Sequence, residues 1–181
     1  PVTRTNLEQT ILATGTVKAF KQVDVGAQVS GQIQSIKVQL GQAVHKGDLL
    51  AIIDARTQKN TLQTAQAQLT SNQANLEKAQ LDLTRQQTMF AAGASSKENL
   101  DAAKATLAAA RAAVNQSKIS VDNAKLTLGY TQVLAPIDGV VVSLAVEEGQ
   151  TVNANQSTPT LMTIAQLDKV TIRADISEGD V

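Results

Sequence analysis

Between Gly31 and Val44 the chain reads GQIQSIKVQLGQAV, and between Gly139 and Val152 it reads GVVVSLAVEEGQTV. Each stretch has a glycine, a second glycine ten residues on, and then Gln-x-Val. Each also carries a serine four residues after its first glycine and apolar residues at the second, fifth and seventh. Both run on to an apolar finish, DLLAIID in one and PTLMTIA in the other. An internal repeat of this kind limits the fold more than any single motif. The short runs of alternating β-branched residues, bounded by Gly, Asp and Asn, are strands and turns. The fold must therefore hold two copies of one small β-unit and accommodate whatever lies between them.

What lies between is helical. From Ala55 to Leu128 there is no proline, and Gly93 is the only glycine. Leu62, Leu69, Leu76, Leu83 and Phe90 recur every seven residues, as do Leu100, Leu107, Val114, Val121 and Leu128. A strict seven-residue apolar repeat predicts a left-handed coiled coil. The two series are broken at Ala91–Ser96. There Gly93 can take the left-handed conformation that ends a helix, and Ser95 or Ser96 can cap the next one, with Glu98 in its first turn.

Folding back at Gly93 predicts an antiparallel register. Leu83 faces Ala103, Leu76 faces Ala110, Leu69 faces Ser117 and Leu62 faces Ala124. Reciprocally, Ala79 faces Leu107, Ala65 faces Val121, Asn72 faces Val114 and Gln58 faces Leu128. Most layers join a large side chain to a small one, which lets the axes approach. Two stripes flank the seam, Gln66, Gln73, Gln80 and Gln87 on one helix and Lys97, Lys104, Arg111, Lys118 and Lys125 on the other. They are either solvated flanks, with Lys and Arg stems lying over apolar surface, or a contact between protomers. Helices of this length predict a stalk on the order of 50 Å long. Such a stalk holds no catalytic pocket and connects distant points.

Composition narrows the function. Sixteen basic residues balance sixteen acidic ones in 181, which gives no electrostatic reason to expect nucleic acid as a partner. With no cysteine and one histidine, disulfides, thiolate sites and multi-histidine metal sites are excluded within this chain. The only aromatics are Phe20, Phe90 and Tyr130, so the core is expected to be aliphatic. Apolar runs fall short of the roughly 18–20 residues that span a bilayer. His45, in the turn HKGD, reads as an exposed loop histidine without a role.

The repeat resembles the two quasi-symmetric halves of the biotinyl/lipoyl fold, a flattened β-sandwich. In carriers of that fold the modified lysine stands on the hairpin joining the halves. Here that point is Asp54-Ala55-Arg56, and Lys46 lies earlier in the chain, away from the carrier position. The missing lysine argues against a carrier subunit of an acyl- or carboxyl-transfer enzyme.

A lipoyl half, a helical hairpin and a second lipoyl half resemble the periplasmic adaptors, or membrane fusion proteins (HlyD-like), of Gram-negative tripartite pumps. The stretches that carry the likeness are ILATGTVKAFKQVDVGAQVSGQI, LGYTQVLAPIDGVVVSLAVEEGQTV and LMTIAQLDKVTIRADISEGDV. They are most similar to MacA-type adaptors, which serve ABC transporters. The resemblance implies an α+β chain with five parts. Residues 1–20 supply strands of an adjoining β-barrel domain, and 21–54 form the first lipoyl half. Residues 55–129 are the antiparallel coiled-coil hairpin, its tip at 91–96. Residues 130–165 are the second lipoyl half, and 166–181 begin the barrel again.

The same resemblance implies function. Family members share an Arg, then a Leu four residues on, then a Ser seven further, at a tip that docks a TolC-like outer-membrane channel. Arg85, Met89 and Ser96 stand at those spacings, with Met in place of Leu, which leaves docking possible and partner preference open. The stretch Asn153–Pro159 resembles a loop whose glutamine lines a one-way gate in the centre of a hexamer, which makes Gln156 the candidate. Six such amides can bond around a ring.

What is implied is a non-enzymatic periplasmic adaptor without a cofactor. It would form hexamers, with an inner-membrane ABC transporter (MacB-like) and a TolC-like channel as partners. Its inner-membrane anchor would precede Pro1, and the rest of the barrel would follow Val181. An adaptor of a proton-driven (RND-type) pump, or of a type I secretion system, would share this architecture.

Overall fold

The computed structural model describes residues 14–154 and 159–175. In chain order they form β1 (Thr14–Gly26), β2 (Gly31–Ile36), β3 (Ala43–Val44), β4 (Leu49–Ile53), α1 (Arg56–Ala91), α2 (Lys97–Gly129), β5 (Gln132–Leu134), β6 (Gly139–Leu144), β7 (Thr151–Val152) and β8 (Thr160–Asp175). The strands make two four-stranded sheets, ordered β1-β8-β6-β3 and β5-β4-β2-β7.

The repeat explains that order. Strands β2, β3 and β4 of the first copy correspond to β6, β7 and β8 of the second, and each copy gives its short strand to the other. Gly31 pairs with Val152 in one sheet, and Val44 pairs with Gly139 in the other. The exchange is reciprocal to the level of single bonds. The Gly41 N–H donates to the Val141 carbonyl and the Gly149 N–H to that of Ile33, both at 2.8 Å.

The shared Gly-Gln-x-Val now has a cause. Gly41 and Gly149 sit at φ 80° and 86°, where a side chain would be strained. The glutamine that follows each folds its Oε1 back over the turn, accepting from the Gln39 N–H at 2.9 Å and the Glu147 N–H at 3.1 Å. The valine then points into the core: Val44 and Val152 are both buried.

That core is aliphatic, as the composition requires. Ile33, Leu50, Ile53, Val141, Leu161, Met162 and Ile164 are the largest fully buried side chains, and no aromatic joins them among the described residues. Ile52 on β4 and Leu161 on β8 lie in the two sheets of one sandwich, so the halves separated by the hairpin close a single domain. Strands β1 and β8 pair from Gly26–Thr160 out to Thr14–Asp175, and their ladder shifts register between Ala19 and Lys21.

The hairpin follows the predicted seam. Half-buried or buried residues on α1 are Gln58, Leu62, Ala65, Leu69, Asn72, Leu76, Ala79, Asp82, Leu83 and Gln86; apart from Asp82 they step by three and four. On α2 they run Leu100, Ala103, Leu107, Ala110, Val114, Ser117, Val121, Ala124 and Leu128. Asn72 Nδ2 donates to Ser117 Oγ and to the Ala113 carbonyl, bracketing the predicted Val114 level.

Phe90 departs from the expectation. It continues the heptad in sequence but is 43% exposed. Its partner in that register would be Ser96, which caps a helix and offers no wall to pack against.

Two residues of the basic flank pair with neighbours on their own helix while staying open to solvent. Lys104 pairs with Asp101 at 3.1 Å and Lys125 with Asp122 at 4.0 Å, rather than reaching the glutamine stripe. His45 is an exposed turn residue whose N–H bonds Asp48 at 2.8 Å.

At the junction with β4, Asp54 takes the Arg56 guanidinium and also accepts from the Arg56 N–H at 3.0 Å, at the first turn of α1. The guanidinium and N–H of Arg56 hold the Asp54 carboxyl below the usual aspartate range. At the other leg of the hairpin, Thr131 is buried and closes α2, its hydroxyl donating to the Leu128 carbonyl at 2.7 Å.

Candidate functional site: the hairpin tip

The tip is built by the way α1 stops. The Gly93 N–H bonds the Phe90 carbonyl at 3.0 Å and the Ala94 N–H bonds that of Met89 at 2.8 Å, with Gly93 at φ 73°. This pair of bonds is the Schellman ending that a left-handed glycine permits. Ser95 then donates to Gln86 Oε1 at 2.8 Å and latches the loop to the last seam residue of α1. Ser96, in an extended conformation, accepts the Asn99 N–H at 3.2 Å and caps α2, with Glu98 in its first turn. The sequence left the cap open between two serines. The structure divides the tasks: Ser95 is the latch and Ser96 the cap.

Arg85 and Met89, four residues apart, share a face of α1 just before this turn. The Arg85 side chain is 68% exposed and reaches Asp82 at 3.1 Å on its own helix, which leaves guanidinium donors for a partner. Met89 is 38% exposed. The Ser96 oxygen is committed to its cap, but its O–H remains a donor. The three residues therefore stand at one end of the stalk, with a cation, a soft apolar chain and a hydroxyl.

Phe90, which spacing alone assigns to the core, adds a second exposed apolar side chain at the same end. The signal that could have placed it was the capping serine opposite. None of these groups is a nucleophile set against a base. Among the described residues no cluster of His, Cys, Asp or Glu is arranged to hold a metal. What the tip offers is a cation, two exposed apolar side chains and a hydroxyl donor.

Gln156 lies outside the described residues. The stems of its loop are described: the Ala154 N–H donates to Ser30 Oγ at 2.9 Å, and the Ala27 N–H to the Pro159 carbonyl at 3.2 Å. No described helix is long and apolar enough to cross a membrane.

Comparison with known proteins places this architecture. Residues 21–164 match the family model described as RND MFP, barrel-sandwich hybrid domain. The pyoverdine export membrane fusion protein PvdR of Pseudomonas putida is 48% identical over 99% of this chain and 50% of its own length. The macrolide export protein MacA of Yersinia pestis is 40% identical over 99% of this chain and 52% of its own length. The crystal structure of MacA from Actinobacillus actinomycetemcomitans superposes with a TM-score of 0.75 at 46% identity, covering 94% of this chain and 57% of that one. The chain thus spans about half the length of the curated relatives it matches. With the split sandwich and its hairpin on the same segment as the family match, the chain belongs to the membrane fusion proteins, the adaptor family of efflux pumps.

Proposed function

We propose that this chain is the central part of a periplasmic adaptor that bridges an inner-membrane ABC transporter to a TolC-like outer-membrane channel. The observation that carries this reading is the placement of Arg85, Met89 and Ser96 together at the end of a two-helix stalk whose other end is fixed in the sandwich. Helices of 36 and 33 residues hold that end about 50 Å from the β-domain. A rigid rod with a binding tip and a folded base transmits position between two partners and does no chemistry of its own. The protein works as a hexamer, the sandwiches forming a ring and the hairpins a tube, with Gln156 as its gate. The ribbon of β1 and β8 beyond the register shift begins the β-barrel domain, and an inner-membrane anchor lies outside this chain.

Support for an ABC partner is the likeness to MacA-type adaptors. A second reading, an adaptor for an RND-type pump, is favoured by the matched family model, which carries the RND name. Purifying the full-length protein from membranes under mild crosslinking, and identifying the bound transporter, separates the two.

Docking is tested by placing a photo-crosslinking residue at Met89. Capture of an outer-membrane channel is expected, and an Arg85→Ala change should reduce it. A pump that exports normally while Met89 never contacts a channel would remove the docking claim.

A further inference from the structure

Sulfur is scarce in this chain. There is no cysteine, and the only sulfur atoms are the thioethers of Met89 and Met162. The fold treats the two differently. Met162, on β8, is wholly enclosed in the aliphatic core, at 0% exposure. Met89, in the last turn of α1, is 38% exposed at the hairpin tip. A dissolved oxidant therefore reaches one sulfur of the chain and not the other.

The tip is built without that exposed side chain. Met89 gives only its carbonyl, to the Ala94 N–H. The other bonds of the turn join Gly93 to Phe90, Ser95 to Gln86 and the Asn99 N–H to Ser96. None of them uses the thioether. A change at this sulfur alters what the tip presents and leaves its fold in place.

What changes falls on two of the three docking groups. A thioether is soft and apolar, whereas a sulfoxide is polar and a strong acceptor. Phe90, next in the chain, is 43% exposed, so oxidation sets a dipole into the apolar part of the tip. One helical turn back stands Arg85, whose guanidinium already turns to a carboxylate on its own helix, Asp82 at 3.1 Å. A sulfoxide oxygen on Met89 gives the remaining guanidinium N–H groups a second acceptor on α1 and competes with a partner for them.

We infer that Met89 is a reversible oxidation site that releases the tip from its channel. The oxidant is a two-electron oxygen donor such as hydrogen peroxide. The sulfur lone pair attacks one peroxide oxygen and the O–O bond breaks. The departing hydroxide takes the proton of the transferred oxygen and leaves as water. Sulfur is oxidised to the sulfoxide, and the peroxide is reduced. No thiol of this chain can reverse the step, so reversal falls to a separate methionine sulfoxide reductase, which returns the oxygen as water and oxidises two thiols to a disulfide. This inference rests on the docking reading above and adds a control to it.

The test uses the full-length protein, immobilised, treated with hydrogen peroxide and cleared of it with catalase. It is then offered phospholipid vesicles carrying a purified TolC-like channel. Peptide mass mapping should find one added oxygen at Met89, and none at Met162 until the protein is denatured. The channel concentration for half-maximal capture should rise about tenfold, as expected when a polar group replaces an apolar one in a contact. The melting curve followed by helix ellipticity should not move. Reductase with dithiothreitol should restore capture. Met89→Leu, compared with itself before and after peroxide, should show no change, which separates this sulfur from any methionine outside the chain.

Full oxidation of Met89 with unchanged capture would overturn the inference and leave docking standing. The same loss in Met89→Leu would overturn it too, because the sensitive residue would then lie elsewhere. So would a melting curve lowered by oxidation, which would assign the loss to an unfolded tip. A Met89 that stays unoxidised while free methionine in the same tube is converted would show a shielded thioether and also overturn it. An untreated protein that captures no channel would remove the docking reading, and this inference with it.

Discussion

The sandwich and the hairpin solve opposite problems with similar numbers of residues. In the sandwich each half completes the other: β3 finishes the sheet of the second copy and β7 that of the first, and Leu50, Ile53, Leu161 and Ile164 are wholly enclosed. In the hairpin each layer stands on its own seam, and on α1 Ala79 alone is buried. The sandwich thus gains its order from contacts distant in sequence. The hairpin gains its length from one repeated local rule, a narrow apolar seam flanked by exposed residues.

The contrast breaks most readily at a pair of leucines. Leu161→Ala empties a fully enclosed site and should cost about 2–5 kcal/mol. Leu76→Ala, in a half-buried layer facing Ala110, should cost less, about 1–2 kcal/mol, because part of that side chain already meets water. Denaturant melts of both variants measure the difference. Equal losses would mean that the hairpin and the sandwich share one core-like packing, contrary to the description above.

A finer comparison sets the two copies of the repeat against each other. A methyl group on Gly139 would stand 2.6 Å from the Ala165 carbonyl oxygen, which is backbone, and 2.9 Å from Ile164 Cγ2. On Gly31 it would meet Ile53 Cγ2 at 2.7 Å, a methyl of an enclosed, β-branched side chain, but no backbone atom nearer than the Asp54 carbonyl oxygen at 3.5 Å. Gly139→Ala should therefore cost about 2–3 kcal/mol and Gly31→Ala somewhat less, about 1–2 kcal/mol. The reverse order would show that the second half yields more easily than its backbone contacts require.

These regions were legible in the sequence to different degrees. The hairpin seam could be read almost residue by residue, because a heptad is a local rule and the register follows from one glycine. It failed at Phe90, where the rule continues in sequence but the opposing helix has not yet begun. In the sandwich, the repeat announced two like units but not that β3 and β7 change places, since strand exchange depends on contacts no short window contains. The role of Gln42 and Gln150 was hidden for another reason. A glutamine after a glycine looks like any polar turn residue until its Oε1 is seen over the turn. Of the candidate site, the tip residues could be placed by counting along α1. The latch from Ser95 to Gln86 could not, because it joins a loop to a seam position that the heptad reserves for an apolar residue.

At the tip, stability and docking can be separated. Ser96→Ala removes the cap on α2 and should cost about 1 kcal/mol. Ser96→Asp keeps an acceptor for the Asn99 N–H and favours the helix N-terminus, so the melt should stay near that of the parent. If channel capture at Met89 falls in both variants, the hydroxyl itself is used in docking. If it falls only with the alanine, the serine matters through the shape of the turn.

The smallest effect belongs to the joint between the two regions. Asp54 is held below the ordinary aspartate value of 3.8, first by its bond to the Arg56 side chain and next by the Arg56 N–H. A carboxyl whose pKa is lowered by folding adds stability above its unfolded value and loses it as pH falls through the folded one. Melting temperatures of the parent and Asp54→Asn should therefore differ near neutrality and converge as the pH falls below 3.8 and through the lowered value of the folded state. The pair is open to solvent, so the gap should also narrow in high salt. The same substitution should leave the acid sensitivity of the sandwich untouched, because the side chains enclosed in its core are aliphatic or thioether and carry nothing to titrate. A gap that persists undiminished at low pH would mean that Asp54 holds the hairpin by shape and not by charge.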